Sequence, residues 1–306
     1  MNRYSVVEYA SHLGVTPSYV RKLLREGRLV GERLGRSWVV LEPRVVPPPV
    51  TQTYTFFTHA GGAGKTSLAR DLGYDLARRG YRVLLVDADP QANLTSWLGV
   101  DKVAPEESLM ALLDGERLPT PRVWPLDPPG LLHLIPATLD LALLEVRLAQ
   151  TPLGELRLRK ALVYLSGQYD YVLVDSPPSL GKLAVLAALA GQGFVVPVET
   201  SPKGLEALVG LHEAVRVYAQ ALDTTAISMI RLLVPTRYDS RNRADVEVLE
   251  RLRAAGRLPV APPIAYRPGL HKRATRAGVP IQAVDPGGPA DLEVRAVTDL
   301  LLKEVS

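Results

Sequence analysis

A short glycine-rich segment constrains the fold of this chain more than any other feature. Residues 61–67 have the sequence GGAGKTS, which follows an apolar, β-rich run at Tyr54–Thr58 and precedes a segment with helical spacing at Thr66–Arg79. Glycines let the backbone curl so that its N–H groups can face an anion, and the helix that follows adds its positive N-terminal end. The strict phosphate-loop pattern asks for a glycine where this chain has His59. We therefore expect a phosphate-binding loop that departs from the strict pattern.

The side chains of this loop indicate a nucleotide site. Lys65 is expected to reach the β- and γ-phosphates of a triphosphate, and the Thr66 hydroxyl is expected to bind Mg²⁺. The residues expected to bind the cofactor here are Gly61, Gly62, Ala63, Gly64, Lys65, Thr66 and Ser67.

Apolar runs alternate with helical patterns along the rest of the chain. The helical segment after the loop stops at Gly80, a common helix C-terminal signal. Further strands are expected at Arg82–Val86, Leu131–Pro136, Tyr171–Val174, Phe194–Pro197 and Met229–Val234. Continuous apolar strands separated by helices are typical of a parallel sheet covered on both faces. The predicted fold class is α/β, with a mostly parallel twisted sheet between helices.

Aspartates follow two of these strands. Residues 83–95, VLLVDADPQANLT, place Asp87 and Asp89 at a strand's carboxyl end, and residues 169–181, YDYVLVDSPPSLG, do the same for Asp175. An α/β sheet binds its ligand at that edge. One carboxylate can hold Mg²⁺ or position water, and another can polarise the attacking water. A lone aspartate after a strand is usually a turn or capping residue, but two such turns beside a phosphate loop favour a site.

Residues 5–40 predict a small N-terminal module. A first helix ends at Gly14, a second begins around Pro17 and closes at Gly27, and residues 29–40 alternate around Gly35 as a β-wing would. The segment resembles excisionase/MerR-type winged helix-turn-helix domains, which implies that the second helix enters the DNA major groove. The candidate DNA contacts are Ser18, Tyr19, Arg21, Lys22, Arg25 and Arg36, with Arg33 and Trp38 near the backbone or minor groove. A helical protein-interaction module is the alternative.

Composition and charge narrow the function further. Residues 1–46 hold seven Arg and one Lys against four Glu, and residues 231–276 hold ten Arg and one Lys against four acids. Such basic clusters suit a polyanion, although solvated faces are the alternative for the second cluster. Cysteine is absent, which excludes disulfides, Cys-zinc sites and Fe–S clusters. With no apolar run long enough to span a bilayer and no signal-peptide core, we expect a cytoplasmic protein.

Two proline-rich segments indicate boundaries. Residues 43–53, EPRVVPPPVTQ, predict a semi-rigid linker, and residues 119–130 predict a surface loop without regular structure. The expected domains are therefore a winged helix-turn-helix at 1–42, the linker at 43–53 and an ATPase-like domain at 54–306.

The motifs together resemble the ParA/MinD family of ATPases, and the ParA branch most. HAGGAGKTS, VDADPQANLT and YDYVLVDSPPSLG are similar to its deviant Walker A, switch I and Walker B segments, and the similarity extends over about residues 54–302. The resemblance implies ATP and Mg²⁺ as cofactors, an ATP-sandwich homodimer and slow hydrolysis stimulated by a ParB-like protein. It also implies sequence-independent DNA binding by the dimer and association with the nucleoid.

The resemblance also assigns roles to individual residues. Asp89 matches the residue that positions the attacking water, Asp175 the Walker B acid and Asp87 the acid that supports Mg²⁺. Pro177 and Pro178 match the switch II turn. The segments that surround adenine contain Thr236, Pro263 and Tyr266, and the candidate contacts to the DNA backbone are Arg241, Arg243 and Arg267.

One departure from the family's pattern affects the dimer. The family's loop begins with a signature lysine that crosses to the partner's nucleotide, and this chain has Ala60 there. Some ParA-like ATPases that position cargo take this lysine from a segment after Walker B. Lys203, in TSPKGLEAL, is the candidate here, and an ordinary exposed lysine is the alternative.

The sequence is compatible with three functions. The leading one is a partition ATPase that moves plasmid or chromosome DNA. The second is a site-specific transcriptional regulator that uses nucleotide as a switch, and the third is an ATPase that positions a protein cargo. A membrane role like that of MinD is not expected, because the last helix, 291–306, has few basic residues and no aromatic anchor. Fold relatives such as the nitrogenase iron protein need cysteine ligands, and related synthetases would not need an N-terminal DNA reader.

Overall fold

The structure is a computed structural model. It describes residues 2–13, 17–25, 31–35, 37–42, 51–114, 119–123, 130–165, 167–222, 225–256 and 258–303. Several features expected from the sequence lie outside these ranges: Arg36, the helix ends at Gly14 and Gly27, linker residues 43–50, residues 124–129 of the expected surface loop and residues 304–306 of the last helix.

The N-terminal residues form two helices and a small antiparallel sheet. The elements are β1 (Asn2–Ser5), α1 (Val6–Leu13), α2 (Pro17–Arg25), β2 (Gly31–Leu34) and β3 (Ser37–Glu42). The sheet order is β1-β3-β2, and the β2–β3 turn contains Gly35 with a φ of +64°. Tyr9, Ala10, Val20, Leu24 and Val40 are buried together with Val6. The two helices and the hairpin agree with the sequence pattern, while β1 was not expected.

A seven-stranded sheet forms the body of the molecule. Its strands are β4 (Gln52–Phe56), β5 (Val83–Asp87), β6 (Arg122–Val123), β7 (Leu132–Ile135), β8 (Tyr171–Asp175), β9 (Gly193–Glu199) and β10 (Ile230–Thr236). Their order is β10-β9-β4-β8-β5-β7-β6, and all neighbours are parallel except the β6–β7 pair. The predicted α/β class and mostly parallel sheet are confirmed.

Twelve α-helices connect and cover these strands within the described residues. They are α3 (Lys65–Arg78), α4 (Asn93–Trp97), α5 (Ala111–Asp114), α6 (Leu141–Gln150), α7 (Arg157–Val163), α8 (Lys182–Ala190), α9 (Pro202–Ala221), α10 (Ala226–Met229), α11 (Arg243–Ala254), α12 (Pro268–Ala277), α13 (Ile281–Val284) and α14 (Pro289–Lys303). Short 3₁₀ helices occupy Pro105–Glu107 and Gly154–Leu156.

The continuous apolar strands are explained by burial on both faces of the sheet. In β5, Leu85 packs into a cluster with residues of α3 and α14, whereas its neighbours Leu84 and Val86 pack into a cluster with residues of α6, α7 and α8. Successive side chains of a strand point to opposite faces, so a strand covered on both sides needs apolar residues at every position.

The expectation of no regular structure at residues 119–130 was wrong for residues 122–123. The proline-rich segment 119–130 contains the two-residue strand β6, which pairs antiparallel with β7 through Arg122↔Leu134 and Val123↔His133. Backbone pairing at a sheet edge needs no apolar pattern, and the prolines fall outside the paired residues. No helix in the described part of the chain is both long and apolar enough to cross a membrane.

The sheet's carboxyl edge gathers the polar residues predicted from the motifs. Phe56, the last residue of β4, pairs in register with Asp175, and Asp175 pairs with Asp87 on the other side. The loop after β4 therefore lies beside both aspartates.

Candidate nucleotide-binding site

The loop between β4 and α3 has the backbone conformation that its glycines allow. Gly62 has a φ of +77° and Gly64 a φ of +97°, both in the left-handed region that favours glycine. Lys65 begins α3, and its buried side chain folds back over the loop, where Nζ donates to the Thr58 carbonyl at 2.9 Å and lies 3.4 Å from that of Ala60. The lysine ammonium is thus held beside the first residues of the loop.

Residues at the ends of β10 and β8 support the loop and the end of β4 that leads into it. The Thr236 hydroxyl, at the end of β10, donates to the Ala63 carbonyl at 2.8 Å. The Ser176 hydroxyl, just after β8, donates to the Phe56 carbonyl at 2.7 Å. Both hydroxyls are buried, so the loop is supported by short bonds that water does not compete for.

Asp87 is engaged by protein groups. One of its carboxylate oxygens accepts from the Thr95 backbone N–H at 2.9 Å and from the Thr95 hydroxyl at 2.7 Å, and the other accepts from the Asp89 N–H at 3.2 Å. Burial raises the pKa of Asp87 to about 6, against the effect of these hydrogen bonds. This carboxylate therefore suits a supporting role.

Asp175, unlike Asp87, has a carboxylate without hydrogen-bond partners among the described residues. It is completely buried, and neither of its carboxylate oxygens has a partner that meets hydrogen-bond geometry in the described structure. Burial, followed by the nearby Asp87 charge, raises the pKa of Asp175 well above its usual value, and the Thr66 hydroxyl and Lys65 oppose this change. An unpaired buried carboxylate is costly, so its presence points to a cation that is meant to neutralise it.

Asp89 completes the charged group. Its carboxylate accepts from the Gln91 N–H at 2.9 Å, and the residue lies on the cavity wall. Burial lowers the pKa of Lys65, while the negative charges of Asp175 and Asp89 favour its protonated form. Lys65 therefore lies within electrostatic reach of both carboxylates.

The residues fit a magnesium ion held together with phosphate. Mg²⁺ prefers oxygen ligands and is usually bound through one or two carboxylates plus substrate phosphates. Among the described residues no group of three or more His, Asp or Glu side chains could hold a metal. The two unpaired oxygens of Asp175 and the Thr66 hydroxyl are protein oxygens that could bind such an ion.

The loop opens into a cavity of about 880 Å³. One wall consists of the loop and the start of α3, and the facing walls include α12 and the segment before it. The lining residues that bear on nucleotide binding are Gly62, Ala63, Gly64, Lys65, Thr66, Ser67, Asp89, Asn93, Pro178, Thr236, Arg237, Ile264, Tyr266 and His271. Thr236 and Tyr266, which were expected near adenine, both line the cavity. Gly61, Pro177 and Pro263 are not among the lining residues.

Lys203 lies in the first turn of α9 and is exposed. The helix begins with the Ser201 hydroxyl as its cap, which accepts from the Gly204 N–H at 3.2 Å. Lys203 does not line the cavity of its own chain.

The three arginines expected to contact DNA differ in their surroundings. The side chains of Arg241 and Arg243 are about nine-tenths exposed, at 88% and 92%, and pair with Asp239 and Glu247. Arg267 is instead largely buried, lines the cavity and is bonded to Glu293, with one Nη at 2.8 Å.

On α2, Ser18, Arg21 and Arg25 are exposed, as expected for a surface that meets a ligand. Tyr19 and Lys22 belong to the same helix, but their side chains lie outside the described structure, as does all of Arg36. The Arg33 guanidinium lies 5.6 Å from the centre of the Trp38 ring on the neighbouring strand.

Two residues beside the glycine loop and its carboxylates were not predicted from the sequence. Thr95 lies within the VDADPQANLT segment, and the spacing of eight residues from Asp87 hides their contact. Arg237 follows β10 with a φ of +56° and reaches the glycine loop. No local signal distinguishes it from the other arginines of residues 231–276.

The site therefore has the features of a P-loop nucleotide-binding protein. These are a parallel sheet, a glycine loop that leads into Lys65, and buried carboxylates at the same edge of the sheet. Comparison with known proteins agrees. A family model described as an AAA domain matches residues 51–227. A probable plasmid-partitioning protein ParA of Thermus thermophilus is 56% identical over 98% of this chain and 92% of its own length.

Solved structures extend the comparison to nucleotide complexes. An ATP complex of McdA from Cyanothece has a TM-score of 0.72 at 25% identity, covering 82% of this chain and 96% of that one. Cobyrinic acid a,c-diamide synthase from Mycobacterium smegmatis, with bound ADP and magnesium, has a TM-score of 0.67 at 29% identity, covering 83% and 94%. The chain belongs to the ParA-type P-loop ATPases, and it is an ATPase.

Proposed function

We propose that this protein is a partition ATPase that binds ATP and Mg²⁺, dimerises with ATP, binds DNA and drives segregation of plasmid or chromosome DNA. The observation that carries the proposal is the 56% identity to a probable plasmid-partitioning protein over 98% of the chain, which includes the N-terminal module as well as the loop. A ParB-like partner is expected to stimulate slow hydrolysis, and the protein is expected to associate with the nucleoid in the cytoplasm.

The buried polar groups support specific roles in the ATPase site. Lys65 and the N–H groups of residues 61–67 bind the β- and γ-phosphates. Thr66 and Asp175 hold Mg²⁺, Asp87 supports them, and the ion, when bound, neutralises charge on the triphosphate. Asp89 orients the attacking water, because its carboxylate lies on the cavity wall near Lys65.

The rest of the nucleotide contacts follow the cavity walls. Thr236 and Tyr266 are proposed to flank the adenine, with Pro177 and Pro263 as supporting residues that do not line the cavity. Lys203 is proposed to reach the partner's phosphates in the dimer in place of the lysine that Ala60 lacks. Its exposure at the start of α9 leaves the ammonium free to cross an interface.

Two surfaces are proposed to bind DNA. In the N-terminal module, Ser18, Tyr19, Arg21, Lys22, Arg25 and Arg36 would contact a specific site through the second helix. In the ATPase dimer, Arg241 and Arg243 would contact backbone phosphates without reading sequence. Arg267 would first have to exchange Glu293 for a phosphate, so we expect a smaller contribution from it.

Light scattering after size exclusion tests the proposal. The full chain is measured with Mg²⁺ and ATPγS, with and without a DNA duplex of unrelated sequence, beside Lys65→Ala and Lys203→Ala. We expect a nucleotide-dependent dimer that binds the duplex, and a Lys65→Ala variant that does neither. A wild type that stays monomeric with bound ATPγS contradicts the dimer model. Normal dimerisation of Lys203→Ala removes the proposed role of Lys203.

A site-specific regulator is the second candidate, favoured by the helix pair and hairpin of the N-terminal module. A nucleotide-dependent footprint on the protein's own promoter, abolished in Arg21→Ala/Arg25→Ala, would support it over partition. Positioning of a protein cargo is a third candidate, favoured by Ala60 in place of the signature lysine. It requires that the protein still move over the nucleoid when no DNA centromere is present.

A further inference from the structure

Arg237 has a backbone conformation that a residue with a side chain rarely adopts. Its φ is +56°, in the left-handed region, immediately after β10 ends at Thr236. A β-carbon is crowded by the backbone in this region, so the conformation costs free energy and persists where the surroundings impose it. Such strain is found most often at functional sites, which makes the position of this side chain informative.

The surroundings of Arg237 impose this conformation from both sides. Before it, the Thr236 hydroxyl donates to the loop carbonyl of Ala63, and the Thr236 carbonyl accepts from the Thr200 N–H at 3.0 Å. After it, the Tyr238 N–H donates to the Ile264 carbonyl at 3.1 Å and its carbonyl accepts from the Tyr266 N–H at 3.0 Å. The arginine therefore projects from a backbone that is fixed relative to the loop.

The guanidinium of Arg237 lies directly over the glycine loop. A β-carbon added to Gly62 would be 3.1 Å from Nη2 of Arg237. The guanidinium carbon is also 5.8 Å from the centre of the Tyr266 ring. The Glu199 carboxylate is 3.9 Å from Nη1, which is close enough for attraction but too far for a hydrogen bond. Donors of the guanidinium can therefore turn to a ligand in the cavity, whose wall it forms.

A triphosphate at the loop would meet few cations from the loop itself; Arg237 lies over Gly62, and Arg267, Lys272 and Arg276 also line the cavity. Lys65 is the one cationic side chain in residues 60–67, and the carboxylates of Asp175 and Asp89 already interact electrostatically with it. A bound nucleoside triphosphate brings several negative charges to the same place. Arginine, with five donors in a planar fork, suits phosphate oxygens better than other side chains do.

We propose that Arg237 is a phosphate ligand of the bound nucleotide within its own subunit, and that it favours a triphosphate over shorter nucleotides. The inference rests on the proposed nucleotide site around Lys65. It differs from the role proposed for Lys203, which acts across the dimer interface and on dimerisation, whereas Arg237 acts on binding by a single chain.

Titration calorimetry on the full chain tests this assignment. The affinities for ATPγS, ADP and AMP are measured with Mg²⁺ for the wild type, Arg237→Met, Arg237→Lys and Arg216→Met. Arg216 is an exposed arginine of α9 that does not line the cavity, so its variant controls for removal of one charge. We expect Arg237→Met to weaken ATPγS binding about tenfold or more, ADP binding less, and AMP binding by under about twofold.

Further results separate the possible failures. Partial recovery in Arg237→Lys and wild-type behaviour of Arg216→Met support the assignment, and so does the same nucleotide pattern in Arg237→Gly, which removes the backbone strain. Equal losses for all three nucleotides would overturn it, since Arg237 would then act on the base beside Tyr266. Unchanged binding in Arg237→Met would also overturn it. A wild type that binds none of the nucleotides would instead refute the proposed nucleotide site itself.

Discussion

Ala92 and Arg237 are two non-glycine residues near the cavity with left-handed backbones. Ala92, with a φ of 50°, precedes α4 in the segment that carries Asp87 and Asp89. Its methyl group offers no donor or charge, so the strain at this position brings no interaction of the kind proposed for Arg237. A glycine would adopt the same turn without the crowding of a β-carbon.

Replacement of Ala92 by glycine should therefore raise the free energy of unfolding by up to about 1 kcal/mol, because relief of left-handed crowding exceeds the added entropy of the unfolded chain. Urea unfolding at constant m-value measures the change. Ala214→Gly is the matched control, since Ala214 lies within α9 and the same substitution there should destabilise by about 1 kcal/mol. A destabilised Ala92→Gly would contradict the explanation.

At the level of helices, a buried carboxylate connects α3 to α14. Asp291, with a fully buried side chain, accepts from Arg78 of α3 at 2.7 Å, from Arg295 of its own helix at 2.9 Å and from the Gly287 N–H at 2.9 Å. Burial alone would raise the pKa of Asp291, but the hydrogen bonds from Arg78, Arg295 and Gly287 outweigh it and hold this pKa well below the usual value. The network fixes α14 against the helix that begins at Lys65.

Asp291→Asn should destabilise the protein by about 1–3 kcal/mol near pH 7, since it removes the buried carboxylate that Arg78 and Arg295 share and leaves Asp75 as an acidic partner of Arg78. A lowered folded-state pKa means that the aspartate's stabilisation is present above its ordinary pKa of 3.8 and is lost as the pH falls from there towards the folded-state value. The difference in unfolding free energy between wild type and variant should narrow below about pH 4. Denaturant titrations at about pH 7, 5, 4 and 3 measure it, and a constant difference would argue against the network.

Across the whole molecule, positive charge is concentrated at two places in the sequence. Residues 1–46 carry a formal charge that equals the net +4 of the chain, and a second excess lies between residues 231 and 276. Arg21 and Arg25 are exposed on α2 in the first region, and Arg241 and Arg243 are exposed in the second. Both surfaces can meet phosphates, and each phosphate that a side chain neutralises makes binding more dependent on salt.

Arg21→Ala/Arg25→Ala should weaken DNA binding by the full chain. It should also reduce the slope of log K against log salt by about one for each DNA phosphate that the variant no longer neutralises. Fluorescence anisotropy between about 50 and 200 mM salt measures the slope. ATP hydrolysis without DNA should remain at the wild-type rate, which serves as the control. An unchanged slope would mean that the module does not bind phosphates in this complex.

Much of the fold and part of the site could be predicted from the sequence. Strands β4, β5, β7, β8, β9 and β10 followed from continuous apolar runs, because burial on both faces leaves a local pattern that can be recognised in the chain. The loop at residues 61–67 and the carboxylates Asp87, Asp89 and Asp175 followed for a similar reason, since glycine spacing and the ends of apolar strands are also local features.

Other features depend on residues that are far apart in the chain. Strand β1 has no apolar alternation and forms by pairing with β3, and β6 forms by pairing with β7. The bond between Thr236 and the Ala63 carbonyl joins positions 173 residues apart, and it places Arg237 over Gly62. Local sequence therefore specified which elements form and which chemistry they carry, because propensity and burial act within short segments. Long-range packing specified which side chains meet, because such meetings are set by how strands and helices assemble and leave no periodic trace in the chain.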